Sequence, residues 1–122
     1  MDKAQAIHKL WSSFGLTAYD QNSVPENAVM PYITYGVMTG ALNDVMTISG
    51  SLWYNSASWA EISQKADEIA QAIGSHGYYI DKVNGGYMWV TLGRPFAQRM
   101  TDANDMVRRI YINLTAEFLT AY

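Results

Sequence analysis

The chain has 122 residues, the length of one domain and short for two. Hydrophobic residues make up 49% and charged residues only 16%, which excludes a disordered tail. A net charge of −3 argues against nucleic-acid binding by overall charge, and the absence of cysteine removes disulfides, thiol nucleophiles and thiolate metal sites.

Residues 3–14 place Ile7, Leu10, Trp11 and Phe14 at helical spacing, and Gly15 follows as a stop. Residues 15–31 then carry Gly15, Asp20, Asn22, Pro25, Asn27 and Pro31, a turn-rich composition that predicts one long connection. Residues 32–38 read as a strand with Ile33, Tyr35 and Val37 on one face. Turn residues occupy 40–44, and a second strand follows over 45–54. Its apolar face holds Met46, Ile48, Leu52 and Tyr54, and its polar face holds Thr47, Ser49, Ser51 and Trp53. Such alternation predicts an antiparallel sheet with one packed face.

Ser58 and Glu61 have the spacing of a capping box, which opens a helix carrying Trp59, Ile62, Ala66, Ile69, Ala70 and Ile73 on one stripe. Gly74 sits where a left-handed cap belongs. Strands over 78–83 and 87–92 flank Asn84-Gly85-Gly86, a hairpin signal. Residues 93–106 read as a second irregular segment. The last strand, 107–119, sets Ile110, Ile112, Leu114, Ala116 and Phe118 against Arg109, Tyr111, Asn113, Thr115 and Glu117. The expected fold is one α+β domain over 1–122, with order α-β-β-α-β-β-β. Its two layers are a mostly antiparallel sheet of about five strands and two helices on one face.

Catalytic motifs are not evident. His8 and His76 lie on different elements without a carboxylate at ligand spacing, so no metal site is expected. No Gly-x-Ser-x-Gly elbow occurs, and the Asn84–Gly86 glycines join two strands rather than a strand and a helix. Asp67 and Glu68 are adjacent on a helix and point apart. The expectation is a protein with no catalytic residues, no cofactor and no enzymatic activity. No run approaches the ~18 apolar residues of a membrane span, and the first ten residues lack the apolar stretch of a signal peptide. The Asn113-Leu-Thr115 sequon is discounted accordingly, and the expected setting is a cytoplasm.

The arginines are unevenly placed. All four, Arg94, Arg99, Arg108 and Arg109, fall within 94–109, and all four lysines fall outside. With Asp102 and Asp105 that window carries +2, and the rest of the chain carries −5. Phe96, Gln98, Met100 and Met106 are interleaved with the arginines. Arginine, aromatic and methionine side chains are enriched at interface centres. Each arginine has a second role open to it, since Asp102, Asp105 or Glu117 of the same chain could pair with it. The candidate assembly interface is Arg94, Phe96, Gln98, Arg99, Met100, Arg108 and Arg109. Tyr32, Tyr35, Tyr54, Tyr78, Tyr79, Tyr87 and Tyr111 all fall on predicted strands, where aromatics pack well.

Trp11-Ser-Ser-Phe-Gly-Leu16 with Tyr19, Pro31-Tyr-Ile-Thr-Tyr35, Leu52-Trp-Tyr54 with Ser58-Trp59, Pro95-Phe-Ala-Gln-Arg-Met100 and Arg108-Arg-Ile-Tyr111 resemble small tail-completion proteins of tailed phages and prophages. The resemblance spans nearly the whole chain. It implies a structural virion protein, and most closely a tail terminator, whose hexameric ring caps the tail tube. The implied partners are further copies of the chain, the major tail tube protein and the head–tail connector proteins, with neither membrane nor sequence-specific nucleic acid. A connector or stopper ring is the near alternative. The alternatives of other classes are a small aromatic-rich binding module and an α+β enzyme with a cleft between helices and sheet.

Overall fold

The computed structural model describes residues 1–122. Its elements in chain order are α1 (Lys3–Ser12), β1 (Thr17–Asp20), β2 (Tyr32–Tyr35), β3 (Val45–Asn55), α2 (Ala60–Ile73), β4 (Tyr78–Val83), β5 (Gly86–Met100) and β6 (Val107–Leu119). One six-stranded sheet runs β1-β2-β3-β6-β5-β4 and curls into a half-barrel. Every neighbouring pair is antiparallel except β1 and β2. The α+β class and the two covering helices match expectation. The strand count is six rather than five.

Both helices are amphipathic, and their apolar stripes lie on the same face of the sheet. Ile7, Leu10 and Trp11 of α1 and Ile62, Ala66, Ile69 and Ile73 of α2 are buried. They join Ile48, Leu52, Ile110, Ile112, Leu114, Ala116 and Phe118 in one continuous core. Gly50 keeps Trp11 in place, because a Cβ there would sit 3.0 Å from both the indole and the Thr34 carbonyl. The hairpin between β4 and β5 turns at Asn84 and Gly85, both with positive φ, as a type I′ turn requires.

Four expectations change. The connection over 15–31 contains β1, which pairs parallel with β2; parallel pairing needs a crossover, and residues 21–31 provide it. The strand expected over 32–38 stops at Tyr35, and Val37 is exposed rather than packed beside Ile33. The segment expected to be irregular over 93–106 is strand as far as Met100. β5 crosses Gly93 and Pro95 through a bulge between Leu92 and Ala97, where the Asn113 amide donates to the Pro95 carbonyl at 3.1 Å. Finally, Ser58 and Glu61 form no capping box. The N-cap of α2 is Trp59, and the Ser58 hydroxyl accepts from the Ala60 N–H at 3.1 Å. A capping box does occur, at Asp2 and Gln5 of α1. Gly74 caps α2 at the expected position, its N–H reaching the Ala70 carbonyl at 2.8 Å, but its ψ of −177° lies outside the left-handed helical conformation expected there.

Candidate functional site

Strand alternation divides the arginine window between the two faces of the sheet. Arg99 lies opposite Ile110 and Arg108 opposite Tyr54, so both point to the helix side. Arg109 lies opposite Trp53 and Met100, and Gln98 opposite Tyr111, so these point to the open side. Arg94 is exposed in the bulge and Phe96 packs against the core. The structure thus brings Arg99 to Arg108 and Met100 to Arg109. It sets Arg94 and Phe96 apart, near Gly74 and Ser75 at the other end of α2.

Aromatic rings, not carboxylates, hold these arginines. The guanidinium carbons of Arg99 and Arg108 stand 4.7 and 5.3 Å from the Trp59 ring centroid. Arg109 stands 4.7 Å from that of Trp53, and its Nε donates to the Ser51 hydroxyl at 3.1 Å. Arg108 also donates to the backbone carbonyls of Ala57, Asp105 and Val107, while its Nε is buried without a partner. The one ion pair in the chain is Lys65–Glu68, at 2.7 Å. Asp102, Asp105 and Glu117 therefore neutralise none of the four guanidinium groups. Asp102 instead accepts the Asn104 N–H, a loop-closing bond.

The open face is polar at its centre and aromatic at both ends. Ser49 donates to the Asn113 side chain at 3.0 Å, and the Trp53 indole donates to Thr34 at 2.9 Å. Tyr19, Tyr32 and Trp53 form one aromatic group beside Arg109. Tyr79 lies flat on Trp89 with ring centroids 5.8 Å apart, and Tyr87 adjoins it. A cavity of about 200 Å³ opens between the 36–38 segment and β3, lined by Thr34, Val37, Met38, Thr47, Ser49 and Tyr111 among others.

His8 bonds the Tyr35 hydroxyl at 2.7 Å, and His76 offers its carbonyl to the Trp89 indole. Burial raises the Tyr35 and Tyr54 hydroxyl pKa values, helped by Asp20 in the first case and by Glu61 and Glu68 in the second. No three His, Asp or Glu side chains gather as a metal cage would. No helix is long and apolar enough to cross a membrane. Sequence reasoning missed Trp53 and Trp59 as arginine platforms. The first would follow from the β3–β6 register, which sets Trp53 against Arg109, but a register is not visible until the strands are paired.

Neither a protein-family model nor a curated protein matches this sequence. Among solved structures, the chain is similar to one from the virion of a native gene transfer agent (GTA) particle. The likeness is one of fold. It covers 93% of this chain and 88% of that one, with a TM-score of 0.56 and 19% sequence identity.

Proposed function

We propose that this chain is a non-enzymatic structural protein of a phage-like virion, and that it acts as a tail terminator. In this role a ring of copies caps the tail tube, stops its growth and presents a surface to the head connector. The observation that carries the reading is the fold shared with a GTA virion chain over almost the full length of both. The arginine arrangement supports it. Four guanidinium groups have no carboxylate partner in their own chain, and the remaining residues carry −5. Arginine's planar fork suits paired carboxylates at contacts between molecules. Arg99 and Arg108 on Trp59, and Arg109 on Trp53, are held ready for acidic groups of a neighbouring copy or of the tube. Arg94 adds an exposed charge at the bulge, and Gln98 and Met100 border Arg109.

The test is the composition of purified particles from the cell that encodes the chain. Quantitative mass spectrometry should find it in every preparation, at a small fixed copy number beside the abundant tube protein. Particles that lack it would overturn the reading in favour of a binding module or an enzyme.

A further inference from the structure

The sheet ends on β1 and β4, and a third stretch of backbone edge is left on β3 where β2 stops short. β6 pairs with all of β3, but β2 pairs only with residues 50–53. One more bond, from the Gly36 N–H to the Ser49 carbonyl at 3.1 Å, extends that contact. Beyond it the chain leaves the strand. Residues 37–40 make no backbone hydrogen bond to β3, the Gly40 carbonyl takes the Lys3 ammonium, and residues 41–44 close a turn of their own. The edge over residues 45–48 therefore has no backbone partner, and the 36–38 segment stands across a cavity from its Thr47 end. Its polarity follows from one bond: the Phe118 N–H donates to the Asp44 carbonyl at 3.1 Å, so Asp44 faces β6. Alternation then turns the N–H and C=O of Val45 and Thr47 outward.

β4 is the terminal strand on the opposite side of the sheet from β1. Its far end is covered, because the Met1 ammonium donates to the Lys82 carbonyl at 2.6 Å and the Asn84 N–H donates to the Met1 carbonyl at 3.0 Å. The bulge of β4 and its Lys82 lie in that covered part. Bulges, lysines and prolines are the usual guards of a sheet edge, and residues 78–81 contain neither lysine nor proline.

The two edges fit each other. Val45, Glu117, Trp89 and Tyr79 form one row across β3, β6, β5 and β4, all on the open face. The three intervening pairings are antiparallel, so β3 and β4 run in opposite directions. A rotation about an axis along the strands sets β4 of one copy beside β3 of the next, still antiparallel. Such a contact joins two different surfaces, and it closes a ring where the repeated rotation returns to its start. Exposed apolar side chains gather at the first place, where Val37, Met38, Leu42 and Val45 are four of the nine large ones that stand exposed, and Tyr79 is exposed at the second.

We infer that β3 of one copy pairs with β4 of the next where both edges are free, Val45 opposite Tyr79 and Met46 opposite Tyr78, joining the sheets of neighbouring copies edge to edge. The inference rests on the ring reading and names its lateral contact. The absence of cysteine makes it testable by cross-linking. Full-length Val45→Cys and Tyr79→Cys chains are mixed, oxidised at high concentration and in assembled particles, and compared with each variant alone. The mixture should give a disulfide-linked dimer, the double variant a ladder of linked chains, and neither single variant a product. Thr47→Pro, which removes an outward N–H and no hydrogen bond to β6, should abolish the ladder in the double variant with the circular dichroism spectrum unchanged. Rings that form without linking positions 45 and 79, or a single variant that links to itself, would overturn the edge contact and leave the ring. A chain that forms no ring in solution or in particles would overturn both.

Discussion

Arg109 and Trp53 face each other across the β3–β6 ladder on the open side of the sheet, the guanidinium carbon 4.7 Å from the indole centroid. Trp53 is itself tied to Thr34 on β2 and Arg109 to Ser51 on β3. The cation is thus held in position without being neutralised. That combination favours a binding role over a stabilising one, because a half-exposed cation–π contact is worth only about 1 kcal/mol.

Charge reversal separates the two roles. The double variant Arg99→Glu with Arg109→Glu should keep the monomer folded, with Tm lowered by a few degrees, about what a loss of 1–2 kcal/mol produces. It should also abolish assembly into particles. Calorimetry and particle counts check the two halves, and normal assembly by the double variant would remove the arginines from the interface.

The core makes a different prediction. Trp11 is fully buried, packed on Gly50, and its indole N–H has no partner. Trp11→Ala should cost about 3–5 kcal/mol, the usual effect of emptying a large aromatic site. Gly50→Ala should cost about 1–3 kcal/mol by crowding the same indole. Urea denaturation of both variants measures the losses, and changes under about 0.5 kcal/mol, as at ordinary surface sites, would contradict the packing described.

Thr120 is 2% exposed, and its hydroxyl has no hydrogen-bond partner. Valine has nearly the same shape and no polar atom to desolvate, so Thr120→Val should stabilise the fold by about 1 kcal/mol. A lower Tm for this variant would mean that the hydroxyl is paired after all.

Tyrosine ionisation makes stability fall at alkaline pH. Burial raises Tyr54 and Tyr35 above the ordinary 10.0, so the folded chain holds these protons more tightly than the unfolded chain. The linked stability is fully present below pH 10 and is lost as pH rises through the folded values. Tyr54→Phe should therefore lose less stability than the parent between about pH 8 and pH 11, the range that spans tyrosine ionisation. Urea titrations across that range test it, and parallel losses in the two chains would contradict it.

The strongly periodic parts of this fold are legible in the amino-acid sequence. The stripe from Ile62 to Ile73, the Gly74 cap and the alternation along β6 each follow from local spacing, and they stand in the fold where spacing puts them. β1 is not legible, since four residues among turn formers carry too little pattern and are held by parallel pairing with β2. The far half of β5 is hidden for another reason. Gly93 and Pro95 interrupt the run, but a Cβ at position 93 would lie 2.5 Å from the Asn113 carbonyl, and the Asn113 side chain supports the bulge. The site shows the same division. Composition locates the arginines, whereas the separation of Arg99 and Arg108 from Arg109 depends on register, and the free edge at 45–48 depends on where β2 stops.

The most direct test of the structural role is removal of the chain from the cell that encodes it, with tail length and head attachment read by electron microscopy. The predicted result is tubes of uncontrolled length without heads, because nothing caps the growing end. Loose tails of normal length beside unattached heads would assign the chain to the connector or stopper instead. Intact particles of normal length would contradict the structural role altogether.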